Sequence, residues 1–189
     1  MIKKLGIKKF LAELLLLIAV LVIDLLSKSL VFAFLADKKS GRFELIDGIF
    51  ALQEAHNFGA SFGIFEGKQT MLVVLTAVVM IALVALLAVK PKLPTLARSG
   101  IILIIGGGVG NLVDRIAFGY VRDFIDYTFL DTFFGIDFAI GNIADIFLLV
   151  GTFMVIIYII FQAKEEDFFK PKQTKNHNEA LQNEVKDGE

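Results

Sequence analysis

The chain lacks cysteine entirely and contains only two histidines, His56 and His177. The absence of cysteine excludes disulfide bonds, thiolate nucleophiles, CxxC redox pairs and cysteine-ligated zinc sites. Two histidines are also too few for a histidine-rich metal centre. Any chemistry that this protein performs must therefore use carboxylates, hydroxyls, amides, lysine or arginine.

Net charge is also nearly absent, since the formal value is −1, and the chain lacks the basic surplus typical of proteins that bind nucleic acid. Apolar residues, in contrast, are abundant and gathered into long runs, and the mean hydropathy is +0.72. An uncharged apolar run of about 18 residues or more predicts a transmembrane helix. Residues 69–89 meet this condition, so the sequence indicates an integral membrane protein.

Four apolar spans are visible along the chain, and the first is interrupted by two charged residues. Backbone polar groups must be hydrogen-bonded internally in lipid, so we expect each span to be a helix. The predicted fold class is therefore a polytopic α-helical membrane protein with four transmembrane helices. The predicted spans cover residues of about 10–36, 69–89, 96–113 and 143–161.

The distribution of basic residues predicts the orientation in the membrane. One side of the membrane is assigned twelve Lys and Arg residues, which lie before the first span, in the loop between the second and third spans or at the start of the third, and after the fourth; six lie in the other two loops. By the positive-inside tendency, both termini are cytoplasmic. We accordingly expect a membrane domain over residues 1–162, a polar cytoplasmic tail over 163–189, and outer loops at about 37–68 and 114–141.

The first outer loop predicts a small β-sheet on the outer membrane surface. Two short apolar runs flank Asp47 and Gly48, a residue pair typical of hairpin turns. The second outer loop is rich in aromatic and acidic residues, and its Phe and Tyr side chains suit the membrane interface.

Two charged residues interrupt the first span, Asp24 and Lys28. They are four residues apart on a helix, so their opposite charges can pair and reduce the cost of burial. The catalytic alternative is a dyad of Lys28 with Ser27 or Ser29. It is disfavoured because adjacent helical residues point about 100° apart and because Asp24 would keep Lys28 charged.

The segment NFGASFGIF, residues 57–65, follows the predicted sheet. It is equally consistent with an aromatic loop that returns to the membrane through glycine turns and with a binding element. In the second interpretation, the Asn57 amide and the backbone around Gly59 and Ala60 hold a substrate carbonyl or strand.

The third span ends in the segment GGGVGNLVDR. Its glycines, Gly106 to Gly110, form a small-xxx-small face that allows another helix to approach closely. Asn111, Asp114 and Arg115 follow at positions that share one helical face at the membrane boundary.

Further carboxylates follow, with Asp123 nine residues beyond Asp114 and with Asn142 and Asp145 at the head of the fourth span. Two carboxylates that meet in a low-dielectric site cannot both ionise cheaply, so one keeps a proton and the other remains a base. This is the requirement of an aspartic protease. A divalent-cation site and a proton or ion pathway of a small transporter remain open on the residues alone, as does a purely structural role for the buried charges.

Five motifs in order, DLLSK, NFGASFGIF, GNLVDR, VRDF and NIAD, resemble the lipoprotein signal peptidase family, bacterial signal peptidase II. The resemblance implies an aspartyl endopeptidase of the bacterial cytoplasmic membrane. Such an enzyme removes signal peptides on the N-terminal side of a diacylglyceryl-modified cysteine, with neither metal nor cofactor. It further implies membrane lipids and prolipoproteins as partners, inhibition by globomycin-type peptides, and an active site near the outer face.

By motif position, the resemblance assigns catalysis to Asp123 and Asp145. It also implies that residues orienting the substrate or supporting the site are Asn57, Gly59, Asn111, Asp114, Arg115, Asn142, Asp24 and Lys28. One departure is Gly141, which stands where the family usually has Phe directly before the Asn of the last motif.

Overall fold

The computed structural model describes residues 6–59, 68–136 and 138–161, so the predicted tail, 163–189, lies outside the described residues. Four of the helices are long and apolar enough to cross a membrane, which confirms the predicted fold class. These four are α1 (Ile7–Ala36), α2 (Gln69–Val89), α3 (Thr95–Phe118) and α5 (Ile143–Phe161). A short helix, α4 (Thr128–Phe134), lies between α3 and α5.

The outer surface of the helix bundle is apolar. Ile81 on α2 and Ile116 on α3 are each 68% exposed, and they belong to a large set of exposed Leu, Ile, Val and Phe side chains. In water each such side chain would forfeit about 1.5–3 kcal/mol of burial free energy. The pattern fits a bundle whose outer face contacts lipid.

Helix α3 is the central helix, and it packs against α1, α2 and α5. Its glycines make the contact with α1 possible. A Cβ atom at Gly106 would collide with Val20, and a Cβ atom at Gly110 would collide with the carboxylate of Asp24. The structure therefore confirms the predicted packing role of the glycine face, and it shows that this face also makes room for a buried charge.

Helix α3 continues to Phe118, whereas the predicted span ends near residue 113. The end of the apolar composition marks the expected edge of the hydrocarbon layer, but the backbone remains helical until a glycine can terminate it. Gly119 adopts the left-handed conformation, φ 79°, and its N–H donates to the Arg115 carbonyl at 3.1 Å. Asp114 and Arg115 consequently lie on a helix and not in the outer loop.

A three-stranded antiparallel sheet joins the bundle at the end where α1 and α3 terminate. Its first two strands, β1 (Arg42–Ile46) and β2 (Phe50–Asn57), form the predicted hairpin, with Gly48 in the turn at φ 68°. The third strand, β3 (Val121–Asp126), pairs with β2 and was not predicted. Both of its faces are partly covered, so it lacks the simple alternation that marks a half-buried strand.

Gly141 ties β3 to the start of α5. Its N–H donates to the Ile125 carbonyl at 3.0 Å, and its own carbonyl accepts the N–H groups of Ile125 and Phe124 at 2.7 and 2.8 Å. This isolated bridge fixes the strand that carries Asp123 relative to the helix that carries Asp145.

Candidate active site

Asp123 lies on β3 and is 2% exposed. The register pairs Ala55 with Asp123 and Asn57 with Val121, so Asn57 and Asp123 are diagonal neighbours on one face of the sheet. The Asn57 Nδ2 donates to Asp123 Oδ2 at 2.9 Å. The Asn142 Nδ2 donates to the other oxygen, Oδ1, at 2.5 Å. Two amide groups thus hold both oxygens of this carboxyl group.

Asp145 is part of the cap at the start of α5. Asn142 directly precedes the helix, and its Oδ1 accepts the N–H of Asp145 at 3.1 Å. In return, Asp145 Oδ2 accepts the N–H of Asn142 at 3.0 Å. This reciprocal pair is a capping box built from Asn and Asp in place of the more common Ser or Thr and Glu. The three-residue spacing in the NIAD motif therefore has a structural cause.

Asn111 on α3 connects the two aspartates. Its Nδ2 donates to Asp145 Oδ1 at 3.0 Å, and its Oδ1 accepts the Nδ2 of Asn142 at 3.1 Å. Asn142 in turn contacts Asp123 and Asp145. The structure thereby brings the two aspartates indicated by the sequence into one hydrogen-bonded cluster with three of the predicted supporting amides.

Lys28 contacts this cluster through Asn111 and is fully buried. Its Nζ is 2.8 Å from Asp24 Oδ2, 2.9 Å from Asn111 Oδ1 and 3.5 Å from Asp114 Oδ2. The second oxygen of Asp24 accepts the N–H of Ala144 at 3.0 Å. Asp24 therefore binds the first turn of α5, one residue before Asp145, as an anion at a helix N-terminus.

Among the described residues, neither neighbouring serine is hydrogen-bonded to Lys28, although Ser29 Oγ accepts a hydrogen bond from Arg122 Nη1 at 3.2 Å. Ser27 Oγ donates to the carbonyl of Asp24 at 2.8 Å, and Ser29 Oγ donates to the carbonyl of Leu25 at 2.9 Å. Lys28 Nζ is bound by Asp24 and Asn111, and both serine hydroxyls donate to backbone carbonyls. These contacts disfavour a Ser/Lys dyad.

Arg122 supports Asp114, a role that was not predicted from the sequence. Its Nη2 donates to Asp114 Oδ1 at 2.8 Å, and its backbone N–H donates to Oδ2 at 3.0 Å. The guanidinium carbon also lies 4.6 Å from the ring centroid of Phe118. Because Arg122 directly precedes Asp123, this pair joins β3 to the end of α3. Its spacing from Asp114 spans a helix, a turn and a strand, so no simple periodicity reveals it.

Arg115 holds the segment that follows β2. Its Nη2 donates to the carbonyl of Gly59 at 3.1 Å, and the N–H of Gly59 donates to Asn57 Oδ1 at 3.0 Å. The buried Nε of Arg115 has no hydrogen-bond partner within the described ranges. Residues 60–65 of the NFGASFGIF segment, including Ala60, lie outside those ranges.

The environment of Asp123 favours its protonated form. Burial is the largest cause and the charge of Asp145 is the second, and together they raise the pKa of Asp123 to about 7 despite the two amide donors. Burial, followed by the charges of Asp145 and Asp123, also raises the pKa of Tyr127, whose ring is next to Gly141. A carboxyl group that keeps its proton near neutral pH is suited to act as a general acid.

Both aspartates line a cavity of about 400 Å³, which we call the catalytic cavity. Asn57, Asn111 and Arg115 add polar groups to its lining. Much of the remaining lining is apolar, and this apolar wall comes from α2, α3 and α5, with Leu75, Val79, Met80, Ile104 and Leu148. A cavity with both polar and apolar lining can bind a peptide bond next to an apolar segment.

The described residues include no group of three or more His, Cys, Asp or Glu side chains placed to hold a metal ion. The position between Asp24 and Asp114 is taken by the ammonium group of Lys28. The cluster therefore combines two catalytic candidates with an internal cation supplied by the chain itself.

Gly141 leaves room next to Asp145. A Cβ atom at this position would lie 3.2 Å from Asp145 Oδ2 and 3.7 Å from the ring of Tyr127. Where the family pattern has Phe, this chain therefore has no side chain, and the ring of Tyr127, the residue after β3, lies next to this position.

Comparisons with known proteins agree with this architecture. Residues 16–161 match the family model described as signal peptidase (SPase) II. The chain is 37% identical over 123 residues to the lipoprotein signal peptidase of Clostridium tetani, which covers 65% of this chain and 77% of that protein. It is 40% identical over 123 residues to the lipoprotein signal peptidase of Streptococcus pyogenes serotype M5, with 65% and 75% covered.

A solved structure is also similar, that of a bacterial membrane enzyme determined by the in meso method at 2.3 Å resolution. The TM-score is 0.69 and the sequence identity 31%, with 87% of this chain and 94% of that chain covered. The family match spans all of the described catalytic cluster. The chain therefore belongs to the signal peptidase II family and is a membrane-embedded protease.

Proposed function

We propose that this protein is an aspartyl endopeptidase of the bacterial cytoplasmic membrane that removes signal peptides from prolipoproteins, cutting before a diacylglyceryl-modified cysteine. The observation that carries the proposal is the connection of Asp123 and Asp145 through Asn142 at one cavity. The names of the relatives, lipoprotein signal peptidases, support the substrate class.

In the proposed mechanism, Asp145 is the base and Asp123 is the acid. Asp145 accepts an amide N–H from Asn111 and a backbone N–H at a helix N-terminus, so both of its oxygens are oriented as hydrogen-bond acceptors. The raised pKa of Asp123 favours a retained proton. This assignment uses one carboxyl group of each protonation state.

The reaction then follows from these two states. Asp145 takes a proton from water as the water oxygen attacks the scissile carbonyl carbon, and protonated Asp123 donates a hydrogen bond to the carbonyl oxygen. When the tetrahedral intermediate collapses, the C–N bond breaks and the proton on Asp145 passes to the departing amine. Asn57 and Asn142 hold Asp123 in place throughout.

The apolar wall of the catalytic cavity suits the apolar part of a signal peptide and the acyl chains of the modified cysteine. Globomycin-type peptides would bind in the same cavity. The distribution of basic residues supports an orientation in which the sheet and this cavity are near the outer face of the membrane and both termini are in the cytoplasm.

Cleavage in excess EDTA tests the proposed reaction. The purified protein in detergent should cut a synthetic diacylglyceryl-cysteine signal peptide at an unchanged rate, because neither proposed step uses a metal. Mass spectrometry of the products locates the cut. A rate that falls with EDTA and returns with an added divalent cation would favour the cation-site alternative and contradict this mechanism.

The pH dependence tests the assignment of Asp123 as the acid. Since its pKa is raised to about 7, kcat/KM should fall about tenfold per pH unit above this value as the required proton is lost. The same shift makes the contribution of Asp123 to folding stability complete below its unfolded pKa and lost as the pH rises through about 7. Rates and unfolding midpoints measured across this range check both signs. A kcat/KM that stays level well into the alkaline range would refute the assignment.

A further inference from the structure

A second cavity, of about 280 Å³, lies next to the catalytic cavity on the side of the sheet, and we call it the outer pocket. It is lined mainly by polar side chains from all three strands and from the segment that follows β3. Its polar lining consists of Arg42, Gln53, Asp126, Thr128 and Asp131. None of these side chains belongs to the catalytic cluster described above.

The outer pocket adjoins the surroundings of the two aspartates. Ile140 lines both cavities. Tyr127 lines the outer pocket and also packs beside Gly141, where a Cβ atom would lie only 3.2 Å from Asp145 Oδ2. A peptide bound at the aspartates can therefore extend past Ile140 and Tyr127 into the outer pocket.

The charges of the outer pocket do not balance. The guanidinium of Arg42 is already engaged by the side chains of Glu44, Gln53, Asp126 and Thr128. Within the part of the chain that the structure describes, the Asp131 side chain has no hydrogen-bond or ion-pair partner, and it is exposed. The lining therefore offers a free carboxylate and no free cation to an incoming side chain.

We propose that the outer pocket binds the first residues of the mature lipoprotein after the modified cysteine and favours a basic side chain there over an acidic one. This inference rests on the proposed function. The two sides of the scissile bond differ in polarity, since a signal peptide is apolar and the mature segment is polar. The apolar wall of the catalytic cavity suits the former, and the polar lining of the outer pocket suits the latter.

Three synthetic diacylglyceryl-cysteine peptides test this inference. They are identical except for Lys, Ser or Glu at the second residue after the cysteine. We expect kcat/KM of the wild-type enzyme to be about fivefold higher for the Lys peptide than for the Glu peptide, as for an exposed ion pair. Asp131→Asn should bring the two rates together, and Asp131→Lys should reverse their order.

Asp37→Lys is the matched control, because it makes the same change of charge at an exposed residue at the same end of the bundle, outside the outer pocket. It should leave the Lys-to-Glu ratio unchanged. Equal rates for the three wild-type reactions, or equal shifts in Asp37→Lys and Asp131→Lys, would overturn the subsite. Cleavage that survives Asp123→Asn would instead overturn the proposed function, so the two failures are distinguishable.

Discussion

Asp123→Asn and Asp145→Asn should each lower kcat/KM by about 100-fold to 10,000-fold, the range over which a positioned acid or base contributes to catalysis. An amide can neither take a proton from water nor donate an acidic proton to the scissile carbonyl. The two side chains share Asn142 as a partner and act as one unit. The double variant should therefore be scarcely slower than either single variant.

The measurement is cleavage of the diacylglyceryl-cysteine peptide by each purified variant, together with its thermal unfolding midpoint. Asn is close to Asp in shape, so the variants should stay folded in detergent. Asp47→Asn provides the matched control, because Asp47 is exposed in the hairpin turn and lines neither cavity. Full activity in Asp123→Asn or Asp145→Asn would remove that residue from the mechanism.

Asp24→Ala should lower the free energy of unfolding by about 3–5 kcal/mol, the usual result of removing one partner from a buried ion pair. The substitution takes from Lys28 its nearest acceptor, at 2.8 Å, and leaves the N–H of Ala144 without its carboxylate. Both groups lie in a region from which water is excluded. The loss should therefore exceed that of any exposed ion pair in the protein.

Asp24→Asn is the informative companion, because an amide oxygen can still accept the N–H of Ala144 while the charge next to Lys28 is lost. Its stability should fall between the wild type and Asp24→Ala. Unfolding in detergent, followed by circular dichroism, measures both variants against the wild type. A normal unfolding curve combined with lost turnover would assign Asp24 to the chemistry and not to support of the helix.

Much of the fold is predictable because lipid imposes a simple length and polarity rule on each spanning helix. The end of α3 is less predictable, since it depends on the left-handed Gly119 and not on where apolar residues stop. Strand β3 escapes prediction because Val121, Asp123 and Phe124 are all buried, so neither face shows a clean alternation.

In the candidate site, too, some contacts can be predicted from the sequence and others cannot. The spacing of Asn142 and Asp145 is that of a capping box, so their mutual contact follows from local rules. The contact of Asp114 with Arg122 depends on how a helix turns into a strand, and no periodic pattern encodes it. The apolar wall of the catalytic cavity cannot be recognised in the sequence, for a different reason. Residues such as Leu75 and Val79 face a cavity, but in a membrane helix a lipid-facing side chain is equally apolar.

The capping box at Asn142 and Asp145 makes one carboxylate serve two purposes at once. Its Oδ2 accepts the N–H of Asn142 and so caps the first turn of α5, and in the proposed mechanism the same carboxylate receives the proton of the attacking water. Each turnover must then briefly weaken the helix cap, a contact whose full loss usually costs about 1 kcal/mol. The bond from Asp24 to Ala144 does not depend on this proton. This bond therefore continues to hold the first turn of α5 while Asp145 carries the proton taken from water.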